Sequence, residues 1–204
     1  MTGTAVAVLA AGRGSRVGTE SDVPKPLLEL AGRPLVAWAL DAALQSGLRP
    51  AVLVVGHRAR AVEQVVPQGV TVVRARGWRH GIARSLRAAL GALEGWAQVG
   101  AVCIGLADQP CIGAEAYRRL AAAHEDGATL AVATYDGVRG NPVLVARSLW
   151  PEARRLDGDE GARALMRSHP VVEVPCDGTG RPDDVDTIAD LHRVEHLLQQ
   201  EMEH

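Results

Sequence analysis

The chain has 204 residues, a formal net charge of −2 and an isoelectric point near 6.4, a balance that gives no overall basic field and does not favour nucleic-acid binding. Hydrophobic residues make up 47% of the sequence, enough for one sizeable core, yet no apolar run approaches the ~18 residues that a membrane span needs. Aromatic residues make up only 3%, with no Phe, so the core must consist of aliphatic side chains, as in a sheet that helices cover on both faces.

Continuous apolar runs alternate with helically spaced segments from residue 4 to residue 134. The runs predict buried strands over residues 4–10 and 51–55, and further strands are predicted over residues 70–74, 101–106 and 128–134. The spacing predicts helices over residues 34–45, 57–66, 82–93 and 114–124. Because the connections are long enough for right-handed crossovers, this alternation predicts an α/β fold with a doubly wound, mostly parallel sheet.

The pattern changes after residue 134. Residues 135–141 are turn-rich, and the following segments predict short strands over residues 143–146 and 171–174 and a short helix over residues 161–167. A last helix is predicted over residues 188–202, with Asp186 or Thr187 as its cap. We interpret residues 1–204 as a single domain, in which residues 1–134 bind a nucleotide, residues 135–186 form an elaboration on the acceptor side, and residues 187–204 form a C-terminal helix.

Three cysteines, Cys103, Cys111 and Cys176, form no Cys-x-x-Cys pair and have no nearby histidine at metal-ligand spacing. This odd number argues against a disulfide framework and against a zinc site, and it favours a reducing compartment. The opening residues carry no positive charge and no cleavage-like site, so we expect no secretory signal. Together these features predict a cytoplasmic protein.

A glycine-rich segment follows the first predicted strand directly. Residues 9–18 read Leu-Ala-Ala-Gly-Arg-Gly-Ser-Arg-Val-Gly, in which the glycines allow backbone N–H groups to surround phosphate oxygens, and Arg13 and Arg16 add positive charge. The segment is not a P-loop, because no Gly-Lys-Ser/Thr closes it. It is also a poor dinucleotide motif, because Val17 stands where a third glycine is needed. The glycine-rich segment is therefore either a phosphate site of another type or a plain turn.

Lys25 is the sole lysine of a chain that otherwise uses arginine. It stands between Pro24 and Pro26, and these prolines stiffen a segment that could direct its ammonium back to the same phosphates. A solvent-exposed lysine is the alternative interpretation.

A second candidate, Asp108, follows the strand predicted over residues 101–106, at the edge where open parallel sheets collect ligands. Its carboxylate could hold Mg²⁺ on phosphate oxygens, or it could simply form a turn.

The ordered set of motifs resembles a known enzyme superfamily over roughly residues 4–192. Residues 9–18 followed by residues 24–35 are similar to the N-terminal motif of nucleotidyltransferases of the glycosyltransferase-A type, a superfamily with a Rossmann-like fold. Asp-Gln-Pro at residues 108–110 resembles the metal-binding motif of the molybdenum cofactor cytidylyltransferases (MobA/MocA-like). Asp-Val-Asp-Thr at residues 184–187 resembles their Asp-x-Asp-Thr-Pro segment.

This resemblance implies a set of site residues. The catalytic residues would be Lys25, Arg16 and Asp108. Mg²⁺ would bind to Asp108 and Asp186, with Asp184 as the other candidate for the second carboxylate. Helix capping is the competing role of Asp186. Residues implied to bind the nucleotide are Leu9, Ala10, Ala11, Gly12, Arg13, Gly14, Ser15, Arg16, Lys25, Trp78, Gly81 and Ser85. Residues implied to bind the acceptor are Gln109, Arg139, Gly140, Asn141, Asp159 and Gly161.

The implied reaction transfers a nucleoside monophosphate from a nucleoside triphosphate to a phosphorylated acceptor and releases pyrophosphate. Leu-Ala-Ala-Gly accompanies cytidine use in the family, so Ala11 implies CTP, with molybdopterin as the acceptor and molybdoenzyme maturation proteins as partners. The chain departs from the family pattern at Gly14, Asn141 and Ile188 and in a longer spacer before Lys25. These departures leave open a sugar phosphate or another small phosphorylated acceptor. A non-catalytic nucleotide-binding protein and a redox protein on the same scaffold are the alternatives from other classes.

Overall fold

A computed structural model of the chain describes residues 3–12 and 23–202. Its strands are β1 (Gly3–Ala10), β2 (Glu29–Leu30), β3 (Arg33–Pro34), β4 (Ala51–Val55), β5 (Val70–Arg74), β6 (Val99–Leu106), β7 (Leu130–Tyr135), β8 (Val138–Ala146) and β9 (Val172–Pro175). Its α-helices are α1 (Leu35–Gln45), α2 (Ala59–Glu63), α3 (Ile82–Leu93), α4 (Ala114–Glu125), α5 (Trp150–Ala153) and α6 (Ile188–Met202). None of the helices in the described residues is both long and apolar enough to pass through a membrane.

Seven strands form one sheet in the order β5-β4-β1-β6-β8-β7-β9. β1 pairs in parallel with β4 and β6, and β4 pairs in parallel with β5. β8 is antiparallel to both of its neighbours, β6 and β7, while β9 is parallel to β7. The predicted α/β class and the doubly wound, mostly parallel sheet are therefore confirmed. A separate two-stranded ribbon joins β2 to β3.

Two predicted segments, the turn-rich residues 135–141 and the short strand over residues 143–146, are corrected by the structure. The region expected to be turn-rich, residues 135–141, contains a turn only at Asp136 and Gly137, where φ is 50° and 74°. This two-residue turn is the type that closes a β-hairpin, so β8 begins at once and extends to Ala146. Because the hairpin places β8 next to β6, the strand predicted over residues 128–134 does not pair with the strand predicted over residues 101–106.

Smaller differences concern helices. The helix predicted over residues 57–66 is the short α2, which begins after Arg58 in the left-handed region, at φ 47°. The helix predicted over residues 161–167 is a 3-10 helix, Ala162–Arg167. Both segments are short, so packing against the sheet decides their form more than their intrinsic helix propensity does.

Side chains of each central strand alternate between two helical layers, as a pleated strand requires. Val6 and Val8 of β1 lie in the layer that α1 and α4 cover, whereas Ala5, Ala7 and Leu9 lie in the layer that α3 and α5 cover. A third, smaller cluster packs α6 onto the segment before α1. Since β1, β4, β5 and β6 run in parallel, the segments that follow them meet at one edge of the sheet, where ligand sites of open α/β sheets form.

Candidate functional site

Lys25 is held between two carboxylates at this edge. Its Nζ lies 2.6 Å from Asp108 Oδ2 and 2.6 Å from Asp186 Oδ1. The Lys25 side chain is 10% exposed, whereas the carboxylate side chains are 30% and 38% exposed. Pro24 precedes Lys25 as the N-cap of a 3-10 turn, and the following Pro26 is buried. The two prolines therefore fix the segment from which the ammonium reaches the carboxylates.

Distant parts of the chain meet to form this group. Asp108 stands just past the end of β6, where the Ala107 N–H donates to the Leu9 carbonyl at 3.1 Å and so ties the segment to the end of β1. The Val185 N–H donates to the Asp108 carbonyl at 2.8 Å, which brings the Asp186 segment alongside. Val185 is fully buried in the cluster beneath α6, so packing holds this contact in place.

Thr187, not Asp186, caps the last helix. The Thr187 N–H donates to Asp190 Oδ2 at 2.9 Å, and the Asp190 N–H donates to Thr187 Oγ1 at 3.1 Å. This reciprocal pair is a capping box. The Asp186 carboxylate is consequently directed to Lys25 and does not have to satisfy the helix terminus.

Charges in this group shift one another's ionisation. Burial lowers the pKa of Lys25, but the charges and hydrogen bonds of Asp108 and Asp186 outweigh it and raise that pKa above the ordinary 10.5. Asp184 lies next to the group. Desolvation, and then the negative charges of Asp108 and Asp186, raise the pKa of Asp184 above its ordinary value, while a hydrogen bond from Gln109 opposes the rise. The ammonium therefore stays charged at neutral pH and balances a locally negative site.

Two adjoining recesses open next to the group around Lys25: Asp108 lines one and Asp184 lines the other, whereas Lys25 and Asp186 line neither. The first, here called the Trp78 recess, has a volume of about 380 Å³. Eight residues predicted from the sequence line it: Leu9, Ala11, Gly12, Trp78, Gly81, Ser85, Asp108 and Asp159. The second, here called the Asn141 recess, has a volume of about 300 Å³ and is lined by four of the predicted acceptor residues: Gln109, Asn141, Asp159 and Gly161. Leu9, Ile82, Leu106 and Asp159 line both recesses, so the two form one continuous cleft.

Close backbone contact shapes the wall of the Trp78 recess. Gly81 has φ 98°, and a Cβ there would overlap the Gly158 carbonyl. The Ala83 N–H donates to the same carbonyl at 3.2 Å, which fastens the start of α3 to the loop that carries Asp159. Trp78 packs against His57, with ring centroids 5.3 Å apart. Only a glycine at position 81 allows the start of α3 to contact the loop that carries Asp159.

A pair of buried amides lies at the Asn141 recess. Asn141 Nδ2 donates to Gln109 Oε1 at 2.8 Å, and Gln109 Nε2 donates to the Pro182 carbonyl at 3.2 Å. Gln109 is 4% exposed and Asn141 is 8% exposed. Asn141 also accepts, through its backbone carbonyl, a hydrogen bond from the Tyr135 hydroxyl at 3.0 Å. The amides are therefore held in fixed orientations by the strands around them.

The remaining predicted residues lie elsewhere. Arg139 is exposed and donates from Nε to Glu173 Oε1 at 2.7 Å, outside the lining of both recesses. Gly140 is buried with its α-carbon against Tyr135. Ala10 is buried within β1 and lines neither recess. The predictions for Arg13, Gly14, Ser15 and Arg16 lie outside the described residues.

Several residues of the cleft were not found from the sequence. Ile82 and Leu106 form the apolar wall between the recesses, and Arg163 lines the Asn141 recess. Their signals resembled those of ordinary core or surface positions. Gly158, which receives the start of α3, had a detectable signal, because an Asp-Gly pair marks a turn and Gly158 has φ 58°.

The group around Lys25 also has the chemistry of a divalent cation site. Two carboxylates already share one positive charge, and carboxylate oxygens are the ligands that hard divalent cations prefer. Within residues 3–12 and 23–202, no set of three or more His, Cys, Asp or Glu side chains is placed to bind a metal alone. Such a site would suit Mg²⁺, which commonly uses one or two protein carboxylates together with substrate phosphates.

Comparison with known proteins gives full-length and partial relatives. The nicotine blue oxidoreductase of Paenarthrobacter nicotinovorans is 30% identical over 198 residues, which cover 92% of this chain and 94% of the relative. The bifunctional protein GlmU of Pelobacter propionicus is 35% identical over 158 residues, covering 76% of this chain and 33% of GlmU. This chain thus matches about a third of the length of that relative.

Solved structures share the whole fold. Rv0371c from Mycobacterium tuberculosis H37Rv matches with a TM-score of 0.82 at 33% identity, covering 96% of this chain and 98% of that chain. The crystal structure of Rv0371c in complex with manganese matches with a TM-score of 0.81 at 31% identity and the same coverage. The MobA-like NTP transferase domain, as a family, matches residues 6–174. This chain therefore belongs to the MobA-like NTP transferase family, and it is a nucleotidyltransferase by family.

Proposed function

We propose that the protein transfers a nucleoside monophosphate from a nucleoside triphosphate to a phosphorylated small-molecule acceptor, with release of pyrophosphate. The observation that carries the proposal is the Lys25 ammonium, which lies 2.6 Å from both Asp108 and Asp186 beside two joined recesses. One recess would take the nucleotide and the other the acceptor. A positive charge close to both recesses is what a reaction between two phosphates requires.

In the proposed reaction an oxygen of the acceptor phosphate attacks the α-phosphorus, and the bond from that phosphorus to pyrophosphate breaks. Such a transfer depends on positioning and charge neutralisation more than on a side-chain nucleophile. Lys25, with Arg16 and the backbone amides of the glycine-rich segment, would stabilise the negative charge that develops on pyrophosphate. Trp78, Gly81 and Ser85 would position the nucleoside.

Asp108 and Asp186 would hold the divalent cation, and we propose Mg²⁺ in this role. The manganese complex of Rv0371c supports the use of a divalent ion in the family. When bound, such an ion neutralises phosphate charge and polarises phosphorus–oxygen bonds. Lys25 stands between the same oxygens, so it would move toward the phosphates as the ion binds.

We further propose CTP as the nucleotide, because Ala11 belongs to a Leu-Ala-Ala-Gly segment and lines the Trp78 recess. Calorimetric titration with CTP and with GTP, each with Mg²⁺, tests this choice. We expect CTP to bind about tenfold more tightly, the discrimination that one good bidentate base contact provides. Tighter binding of GTP would overturn the choice of nucleotide without affecting the reaction class.

For the acceptor we propose the phosphate of molybdopterin, with molybdoenzyme maturation proteins as recipients of the product. A sugar phosphate is the alternative, which the likeness to GlmU supports. Pyrophosphate release, measured with molybdopterin and with a panel of sugar 1-phosphates, separates the two. The Lys25→Met variant provides the matched control, and pyrophosphate release that the variant retains in full would refute the proposed site.

A redox function is the second candidate, because the nicotine blue oxidoreductase matches nearly the whole chain. The same recesses would then hold a nicotinamide dinucleotide and an aromatic substrate. Fluorescence titration with NADH and NADPH tests this candidate directly. Micromolar binding of either, together with failure to bind any nucleoside triphosphate, would favour the redox function over nucleotidyl transfer.

The proposal keeps the assignment of a single domain, with residues 1–134 on the nucleotide side, residues 135–186 on the acceptor side and residues 187–204 as the closing helix. It also keeps the cytoplasm as the compartment. The buried thiols of Cys103 and Cys176 support a reducing environment.

A further inference from the structure

The buried amides determine the polarity of the Asn141 recess, that is, whether it offers hydrogen-bond donors or acceptors to a ligand. The Pro182 carbonyl can only accept, so the Gln109 side chain must direct Nε2 toward it, at 3.2 Å. The Gln109 oxygen then faces Asn141 and accepts from Nδ2 at 2.8 Å. This chain of bonds fixes the orientation of the Asn141 amide, because reversing it would bring two oxygens together.

Asn141 Oδ1 is therefore the atom that remains for a ligand. Asn141 is 8% exposed and lines the recess, and no residue of the described segments donates a hydrogen bond to this oxygen. The Gln109 amide group does not supply a free donor either, since it binds Pro182 and also hydrogen-bonds Asp184. Solvent reaches this oxygen, so a ligand that brings an N–H donor can take the place of water there.

The charged side chains of the recess reinforce this polarity. Asp159 and Asp184 line it, and carboxylates at neutral pH can only accept hydrogen bonds. Both carboxylates are exposed to the solvent of the recess, so a ligand can reach them. Arg163 is the cation of the described lining, and it is exposed. Apolar side chains, including Ile104 and Val143, supply the rest of the wall.

We propose that the Asn141 recess selects a compact, mainly apolar body that carries N–H donors and no negative charge. The inference rests on the proposed function only in calling that body the acceptor, whose phosphate would lie toward Lys25. An amine, an amidine or an N–H-bearing ring satisfies Asn141 Oδ1 and the two carboxylates. A body that carries a carboxylate or a second phosphate meets like charge and an amide oxygen at once.

Three ring compounds of matched shape test this selection on the full chain without nucleotide: benzamidine, benzamide and benzoate. Their dissociation constants would be measured by ligand-observed NMR, and the site located by the side-chain amide signals of Asn141 and Gln109. We expect benzamidine to bind about tenfold more tightly than benzoate, as for a charge-assisted hydrogen bond, with benzamide between them. Equal or tighter binding of benzoate would overturn the proposal. So would the absence of benzamidine binding up to 20 mM, a dissociation constant that corresponds to a binding free energy of about 2 kcal/mol in magnitude.

Two variants check that the recess residues cause the preference. Asp159→Asn removes an exposed carboxylate that no described residue pairs with, so the fold should be kept, and we expect benzamidine affinity to fall about three- to tenfold. Glu125→Gln removes an exposed carboxylate at the end of α4, outside the recess, and should leave affinity unchanged. An equal loss in both variants would show only a general charge effect and would contradict the selection.

Failure of this inference is distinguishable from failure of the proposed function. If CTP binds in calorimetry while benzoate matches benzamidine, the nucleotidyltransferase assignment stands and the polarity of the acceptor recess is wrong. If benzamidine is preferred but no nucleoside triphosphate binds, the recess keeps its selectivity and the proposed function fails.

Discussion

Replacement of Lys25 by methionine removes the ammonium and keeps an unbranched stem of similar length. Two hydrogen bonds of 2.6 Å are lost, each to a charged partner. Each is worth about 1.5–3 kcal/mol before the solvent exposure of the partners is taken into account. The carboxylates are 30% and 38% exposed, so water recovers much of this energy. We therefore expect the free energy of unfolding at pH 7 to fall by about 2 kcal/mol. Turnover should fall about 10²–10³-fold, the usual effect of losing one preorganised group that stabilises transition-state charge.

Urea unfolding measures the change in the free energy of unfolding. Repeating the measurement with Mg²⁺ tests the site in a second way. In the variant Asp108 and Asp186 have lost their shared cation, so Mg²⁺ should stabilise the variant more than the wild type. The sign of the pH dependence follows from the raised pKa of Lys25: its contribution is complete below the ordinary value of 10.5 and disappears as the pH rises through the higher folded value. The difference between the two proteins should shrink accordingly in strong alkali.

Arg74→Met is the matched control, because Arg74 also pairs with a carboxylate, that of Glu63 at 2.6 Å, but is 57% exposed. We expect this variant to lose clearly less stability than Lys25→Met, because water screens the exposed pair, and to show no added response to Mg²⁺. A Lys25→Met protein as stable as the wild type, with the same response to Mg²⁺, would refute the idea that Lys25 neutralises the two carboxylates that a divalent cation would bind.

Three further predictions concern backbone fit and titration. Gly81→Ala should cost about 2–4 kcal/mol in thermal or urea unfolding because its Cβ overlaps a backbone carbonyl, whereas Gly91→Ala, which meets no atom within 4 Å in α3, should gain about 0.5–1 kcal/mol. Asp184→Asn should stabilise the protein by less than about 1 kcal/mol at pH 7, a gain absent below the ordinary pKa of 3.8, because the folded protein raises that pKa. Asp183, whose pKa is lowered because hydrogen bonds from two arginines outweigh burial, should contribute about 1 kcal/mol above pH 3.8 that is lost in stronger acid. Acid unfolding of Asp183→Asn, which should lack this loss, checks the sign, and an unchanged acid midpoint would contradict it.

Strands that form the centre of the sheet could be predicted closely because their signal is local. The apolar run at residues 51–55 has the bounds of β4, since a strand buried on both faces needs such uninterrupted apolar sequence. Residues 70–74 have the bounds of β5, an edge strand whose Thr71 and Arg74 are exposed. β8 was misread because its first two residues, Val138 and Arg139, are exposed and the next three, Gly-Asn-Pro, are of types common in turns. A hairpin that inserts between two strands leaves no mark on local composition. Pairing partners are set by long-range contacts.

The sequence by itself determined the fold class, the family motif and the candidate residues Lys25, Asp108 and Asp186, because periodicity and ordered motifs are properties of neighbouring positions. Only the tertiary structure decided that these three side chains form one charged group, that Thr187 and not Asp186 caps α6, and that Arg139 pairs with Glu173 away from the recesses. These outcomes depend on distances between segments far apart along the chain. Such distances are fixed when the hydrophobic layers pack, which no local pattern records.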